Sequence, residues 1–162
     1  SENKILEYLG SRKYNVCFLD GTHENYDLLN TYRETVWKGG RVHRIHGNLF
    51  HMCRGQVFNI EGMRYFTFGG GESPDKEAID EVGCELDIIL THEPPSLVKS
   101  AILLRLGKSD RVNKLNGYLD EINRSCKFKR WYFGSIHEDR VITPNHIAVF
   151  NELWGVKKSD FD

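Results

Sequence analysis

Three stretches each close an apolar run with a histidine in a polar loop: "CFLDGTHEN" (Cys17–Asn25), "DIILTHEPP" (Asp87–Pro95) and "WYFGSIHED" (Trp131–Asp139). Neutral imidazole is a common ligand for Zn, Mn, Fe or Ni, and it exchanges protons near neutral pH. In open α/β sheets, ligands gather beyond the carboxyl ends of strands. His23, His92 and His137 are therefore predicted to meet at one sheet edge and to support metal or acid–base chemistry. Carboxylates stand close to them in sequence: Asp20, Glu24, Glu93, Glu138 and Asp139. These carboxylates read either as solvated loop charges or as a third ligand in a two-histidine, one-carboxylate set with His92 and His137. A single histidine in a turn is ordinarily structural, but three at matching strand ends favour a site.

For three loops to meet, their strands must lie side by side. "YNVCFLD", "LDIIL" and "KRWYF" are compact apolar runs closed by polar turns, which predicts buried strands. In "GGRVHRIHGNLFHMCRGQVFNIEGMRYFTFGG", Val57, Ile60, Tyr65 and Thr67 fall among turn signals at Gly47-Asn48, Arg54-Gly55 and Glu61-Gly62. That pattern predicts a meander of short antiparallel strands. Helical spacing predicts a first helix in "ENKILEYLGSRK", a helical turn at "YDLLNTY", a helix near Asp75–Val82 and another in "SLVKSAILLRL". A further helix is predicted in "RVNKLNGYLDEINRSC", with Val112, Leu115, Leu119 and Ile122 on one face. Asn25 and Asp27 are expected to cap the turn after His23, and Tyr26 and Leu29 to anchor it; Pro94-Pro95 are expected to stop the "LDIIL" strand and stiffen the loop after His92. Two short strands are expected in "RVITPNHIAVFNELW", and the tail "GVKKSDFD" is expected to fray. The 162 residues suffice for one domain with a full core, residues 1–162. The expected fold class is α/β, an α+β layered sandwich.

In this order, the three blocks resemble the calcineurin-like metallophosphoesterases, in particular small bacterial and phage-type members. "DGTHENYDLL" is similar to that family's G-N-H-[DE] block, "DIILTHEPP" to its strand ending in T/G-H-x-x-P, and "WYFGSIHEDR" to its F-G-H-x-H block. The resemblance runs from about Lys4 to Phe150. It implies a β-sandwich flanked by helices, with a dinuclear metal centre on its loops. There, two ions clamp a phosphoester and a bridging hydroxide attacks phosphorus. It implies His92 as a ligand of one metal, His137 as a ligand of the other, and His23 as the group that contacts phosphate or protonates the leaving oxygen.

The chain departs from that pattern at several positions. Thr22 stands where the family has a ligating Asn, and Ser135 stands where it has the first His of F-G-H-x-H. The family's D-x-H and G-D blocks are not found in the 19 residues before Asp20. The resemblance thus implies an N-terminally shortened relative without the first strand or strands. Asp20 belongs to the G-N-H block and is not assigned as the bridging carboxylate. A catalytic zinc usually takes three protein ligands, and Mn and Mg take oxygen-rich shells. The expectation is a metallophosphoesterase-like chain that has lost dinuclear catalysis and binds a macromolecular partner, as a phage or mobile-element regulator or inhibitor would. The bare sheet edge predicts a homodimer or a covering protein partner. The alternative is an active metal-dependent phosphoesterase whose site is rebuilt around one Mn, Zn or Fe ion or completed by a second chain. In that case Glu24, Glu93, Glu138 or Asp139 joins His92 and His137.

Composition narrows the classes further. A net charge of −1 gives no general attraction to nucleic acid or to acidic membranes. "KFKRWYF" and "RGQVF" mix basic and aromatic residues as base-stacking surfaces do, but Trp131 and Phe133 alternate toward a core. No apolar run approaches the roughly 18 residues of a membrane span. The polar, helical start does not read as a secretory signal. Cys17, Cys53, Cys84 and Cys126 form no C-x-x-C pair, so no thiolate metal site is suggested and a reducing cytoplasm is expected. Cys17, inside an apolar run, reads as a buried thiol. "FGGGES" lacks the Gly-Lys-Ser/Thr of a phosphate loop, and its glycines read as tight-turn residues. Spacing alone gives His43, His46 and His51 no shared site.

Overall fold

Two hairpins are pinned by two-residue turns in which both residues are left-handed. Lys38 and Gly39 have φ of 51° and 88°, and Glu61 and Gly62 have φ of 51° and 77°. Such turns match the twist of the flanking strands. They join β2 (Glu34–Trp37) to β3 (Gly40–His46), and β5 (Gln56–Ile60) to β6 (Met63–Phe68). In this computed structural model, residues 1–71, 85–109 and 112–162 are described. The helix predicted near Asp75–Val82, and Cys84, lie outside them.

Among the described residues the fold is mixed α/β with two mixed sheets. The first has the order β1-β4-β3-β2, with β1 (Val16–Phe18) parallel to β4 (Leu49–Met52). The second has the order β5-β6-β7-β8-β10-β9, built on β7 (Ile88–Thr91) and β8 (Arg130–Phe133) and closed by β9 (Arg140–Val141) and β10 (His146–Ala148). β6, β7, β8 and β10 run parallel, so their carboxyl ends share one edge. The expected single meander is corrected here: its strands divide between the two sheets. The chain leaves the first sheet after Met52, and Gly55 N–H donates to Thr67 O of β6 at 2.8 Å.

The sheets and helices form layers. One face of the second sheet packs Phe66, Phe68, Ile89, Trp131 and Phe133 against α3 (Ser96–Arg105) and α4 (Lys114–Ser125), which supply Ile102, Leu115, Leu119 and Ile122. Trp131 and Phe133 are buried, as their alternation predicts. Half of the opposite face is covered by the first sheet, whose Val42, Phe50 and Met52 pack with Phe58 of β5. The other half, Ile88, Tyr132 and Ile147, is covered by the C-terminal tail through Val156 and Phe161. The tail is therefore not frayed, which corrects the sequence reading. Lys158–Phe161 form a 3-10 helix, and Phe161 lies beneath the cations of Lys129 and Arg130, 5.3 and 5.0 Å from the ring centre. Val112 also departs from expectation: it precedes α4 and is exposed, because Asn113 caps that helix and starts it later. α1 (Glu2–Gly10) packs on the β3–β4 turn. A side chain at Gly10 would collide with His46 O, so only glycine allows that approach. No helix among the described residues is long and apolar enough to cross a membrane.

Candidate functional site at the strand ends

β1, β6, β7 and β8 deliver their following loops to one place. Gly70 N–H donates to Asp20 O at 2.6 Å, and Gly134 N–H donates to His92 O at 3.1 Å. Thr22 Oγ1 lies 3.1 Å from His92 Nε2. The three glycines after β6 permit this closeness: a Cβ on Gly69 would strike Asp20, on Gly70 it would strike Arg54, and on Gly71 it would come within 2.8 Å of Thr22 Oγ1. The three sequence-predicted blocks thus touch, the first and second through Thr22 and His92 and the second and third through His92 and Gly134.

The remaining predicted residues take other places. His23 is exposed on the turn before α2 (Tyr26–Leu29), whose N-cap Asn25 accepts from Leu28 N–H at 3.1 Å. His137 is exposed and left-handed (φ 58°), its ring stacked on Phe150 at 5.1 Å between centres. Ser135 is also left-handed (φ 60°), and its hydroxyl is buried with no hydrogen-bond partner. Left-handed residues other than glycine cost on the order of 1–3 kcal/mol each, so this loop after β8 is held under strain.

The neighbouring carboxylates are each engaged. Glu93, buried, pairs with Lys99 Nζ at 2.7 Å and accepts from Asn116 Nδ2 at 3.2 Å. Glu138 meets Arg140 at 3.1 Å and Arg105 at 3.7 Å. Glu24 Oε1 accepts from Gly21 N–H at 3.2 Å. Asp139 accepts from the backbone N–H groups of Phe150, Asn151 and Glu152, bonds that outweigh desolvation and keep its pKa low. Burial lowers the His92 pKa, against the opposing pull of Glu93, Asp20 and Glu24, so the neutral imidazole is favoured.

A second polar cluster lies under the β1 end, and the sequence reading did not assemble it. Asp20 is 1% exposed. One oxygen accepts from His51 Nε2 at 2.7 Å, and the other from Arg54 Nε and Nη2 at 2.9 and 2.7 Å. Burial pushes the Asp20 pKa up, but those hydrogen bonds and the Arg54 charge outweigh it, and the net shift is downward. His51 Nδ1 lies 3.0 Å from His43 Nδ1, with the rings parallel within 3°. Half-buried Cys53 has its Sγ 3.8 Å from His43 Nδ1, and burial pushes its thiol up to about 11. Half-buried Cys17 is raised to about 11 for the same reason. A recess of about 480 Å³ opens on the cluster, bounded by Asp20, Tyr26, His43, His51, Cys53 and Arg54. The sequence carried only part of the signal for this cluster. A regular hairpin folded at Gly47-Asn48 pairs His46 with Leu49 and would set residue 43 opposite residue 52; a register shift between Arg44 and His46 moves the pairing by one and sets His43 opposite His51.

Compared with known protein families, curated proteins and solved structures, the chain matches none.

Proposed function

We propose that this chain is a metallophosphoesterase-like scaffold without dinuclear catalysis, acting by binding a macromolecular partner along β1. The observation that carries the reading is the Thr22 hydroxyl at His92 Nε2, 3.1 Å away, on the nitrogen that would otherwise face a metal. Around it the donors are poor. Ser135 offers a neutral hydroxyl, and Glu93, Glu138 and Glu24 are held by Lys99, by arginines and by a backbone amide. Hydroxyls are weak ligands for transition ions, and hard ions need carboxylates that are free to turn. The residues present at this cleft do not fit a two-metal centre.

The order and spacing of the three blocks support the scaffold half of the proposal, as does the contact between the first two. The binding half rests on β1. Among the described strands, β1 pairs with β4 alone and ends its sheet. Val16 N–H donates to Asn48 O, so the next residue, Cys17, turns its amide toward the open side. Beside it runs a groove of about 810 Å³, lined by Cys17, Leu19, Tyr65, Leu90, Tyr132 and Trp154. Leu153, at the groove, is fully exposed. An unpaired edge next to an apolar groove is a template for strand addition. A second copy of the chain is the simplest partner. Light scattering on the purified chain, with amide exchange at β1, tests this. A dimer with a slowly exchanging Cys17 amide is expected. A monomer at all concentrations, with β1 amides exchanging freely, contradicts self-pairing.

A further inference from the structure

We propose that His43, His51 and Cys53 form a site for a thiophilic transition ion of the zinc class, separate from the strand-end cleft. Among the described residues this is the one group in which three donor atoms from His, Cys, Asp or Glu lie within 4.8 Å of one another. The spacings suit one ion. With metal–nitrogen bonds of about 2.0–2.1 Å and a metal–sulfur bond of about 2.3 Å, tetrahedral edges come to about 3.3 Å for N···N and about 3.6 Å for N···S. Here His43 Nδ1 and His51 Nδ1 are 3.0 Å apart, and Cys53 Sγ is 3.8 Å from His43 Nδ1.

The groups behind the donors point the same way. Metal-binding histidines commonly donate their second ring N–H to a carboxylate, which fixes the tautomer and turns the free nitrogen toward the ion. His51 has one, and His43 has a carboxylate nearby. Asp20 Oδ1 accepts a hydrogen bond from His51 Nε2–H at 2.7 Å, which leaves Nδ1 with a free lone pair. Asp20 is itself clamped by Arg54, so it cannot swing away. Glu34 Oε2 lies 3.9 Å from His43 Nε2, close enough for a small side-chain movement to let it accept a hydrogen bond from Nε2–H when Nδ1 faces a metal. Without a metal, His43 Nδ1–H donates to His51 Nδ1. On binding, the His43 proton moves to Nε2 and the Cys53 thiol proton leaves to buffer. The recess of about 480 Å³ offers an approach path and room for water as a fourth ligand.

The backbone supplies the constellation without strain. His43 and His51 are directly paired across β3 and β4. Cys53 lies two residues beyond His51, on the same face by strand alternation. Two imidazoles and a thiolate select Zn, Co or Cu over Mg, Ca or Mn. A three-ligand set with an open position is the arrangement of a zinc ion that keeps an exchangeable water.

Cobalt titration of the metal-stripped full-length chain, followed by absorbance, tests the proposal. One Co²⁺ per chain is expected, with intense tetrahedral bands and a sulfur-to-cobalt charge-transfer band, both displaced by one equivalent of Zn²⁺. Cys53→Ser should remove the charge-transfer band, and His43→Ala should weaken binding at least tenfold. Glu34→Gln, at an exposed position, should leave the fold intact and weaken binding by less than either ligand change. His92→Ala should leave the spectrum unchanged. Absence of stoichiometric binding overturns the proposal. So does a charge-transfer band that survives Cys53→Ser, or a spectrum lost in His92→Ala and kept in Cys53→Ser. The last result would move the ion to the cleft and count against the function proposed above as well.

Discussion

The cleft at the strand ends and the cluster beneath it are both built from histidine, hydroxyl or thiol, and carboxylate, yet they are organised in opposite ways. In the cleft, the imidazole of His92 meets a hydroxyl, and the nearby carboxylates serve Lys99, the arginines and backbone amides. In the cluster, the carboxylate of Asp20 serves the imidazole of His51, and the imidazoles face one another and a sulfur. Residue types alone therefore do not make a site. What a nitrogen can do depends on what holds the other side of its ring and on whether the neighbouring charges are already spoken for. Strain divides the same way: Ser135 and His137, beside the cleft, are left-handed, whereas the strand residues of the cluster are not.

Removing a buried charge partner should give the largest difference between the two regions. Asp20→Ala leaves Arg54 without its carboxylate and His51 without its acceptor, and loss of one partner from such a pair costs about 3 kcal/mol. Thr22→Val, at the cleft, removes an exposed hydroxyl and should cost less than about 1 kcal/mol. Urea unfolding of both variants measures the gap, and equal losses would erase the distinction.

Acid should act next. Burial lowers the pKa of His43, His92 and His146 from the ordinary 6.5, so the unfolded chain takes up their protons first. Their contribution to stability is complete above that value and is lost as pH falls through it toward the folded pKa values. Asp20, also lowered, acts in the same direction nearer pH 4. His146 is held by Asn123 and Thr143 on its two nitrogens, away from both polar regions. Stability should therefore fall steadily from pH 7 to pH 5, and His146→Gln should flatten only part of the slope. A profile flat across that range would mean that these imidazoles are not held neutral.

The smallest expected effect has the opposite sign. Ser135→Gly and His137→Gly relieve left-handed strain in the loop after β8, and each should stabilise the chain by about 1 kcal/mol, or raise Tm by ~2–4 °C. Thermal unfolding reads this directly. Destabilisation would mean that the two side chains hold the loop more than they strain it.

Much of this was legible in the sequence, for identifiable reasons. Apolar runs closed by polar turns gave β1, β7 and β8, and Leu115, Leu119 and Ile122 gave the buried face of α4. The Thr22 and His92 loops do meet, but not from neighbouring strands as expected: β1 lies in the first sheet and β7 in the second, so the contact is made between the sheets. The division of the meander into two sheets was not legible, because local alternation fixes strands and turns but not which sheet receives a strand. The tail was misread for a related reason: Phe161 is a lone aromatic in a polar segment, and only the exposed flank of β8 and β10 gives it a place to pack. The fates of Glu93 and Glu138 were hidden because Lys99 and Arg105 reach them from α3, a helix whose position the sequence does not state. His43 and His51 were not legible as a pair, since the Gly47-Asn48 turn alone sets residue 43 opposite residue 52 and the register shift between Arg44 and His46 brings His51 across from it.

The most direct test of the central claim is hydrolysis of a generic phosphodiester by the purified chain with Mn²⁺ or Zn²⁺, run beside His92→Ala. The account predicts equal rates for the two proteins, neither above the metal-only control. Turnover by the parent chain that His92→Ala abolishes would contradict it, and would show that the cleft assembles a working metal site despite Thr22 and Ser135.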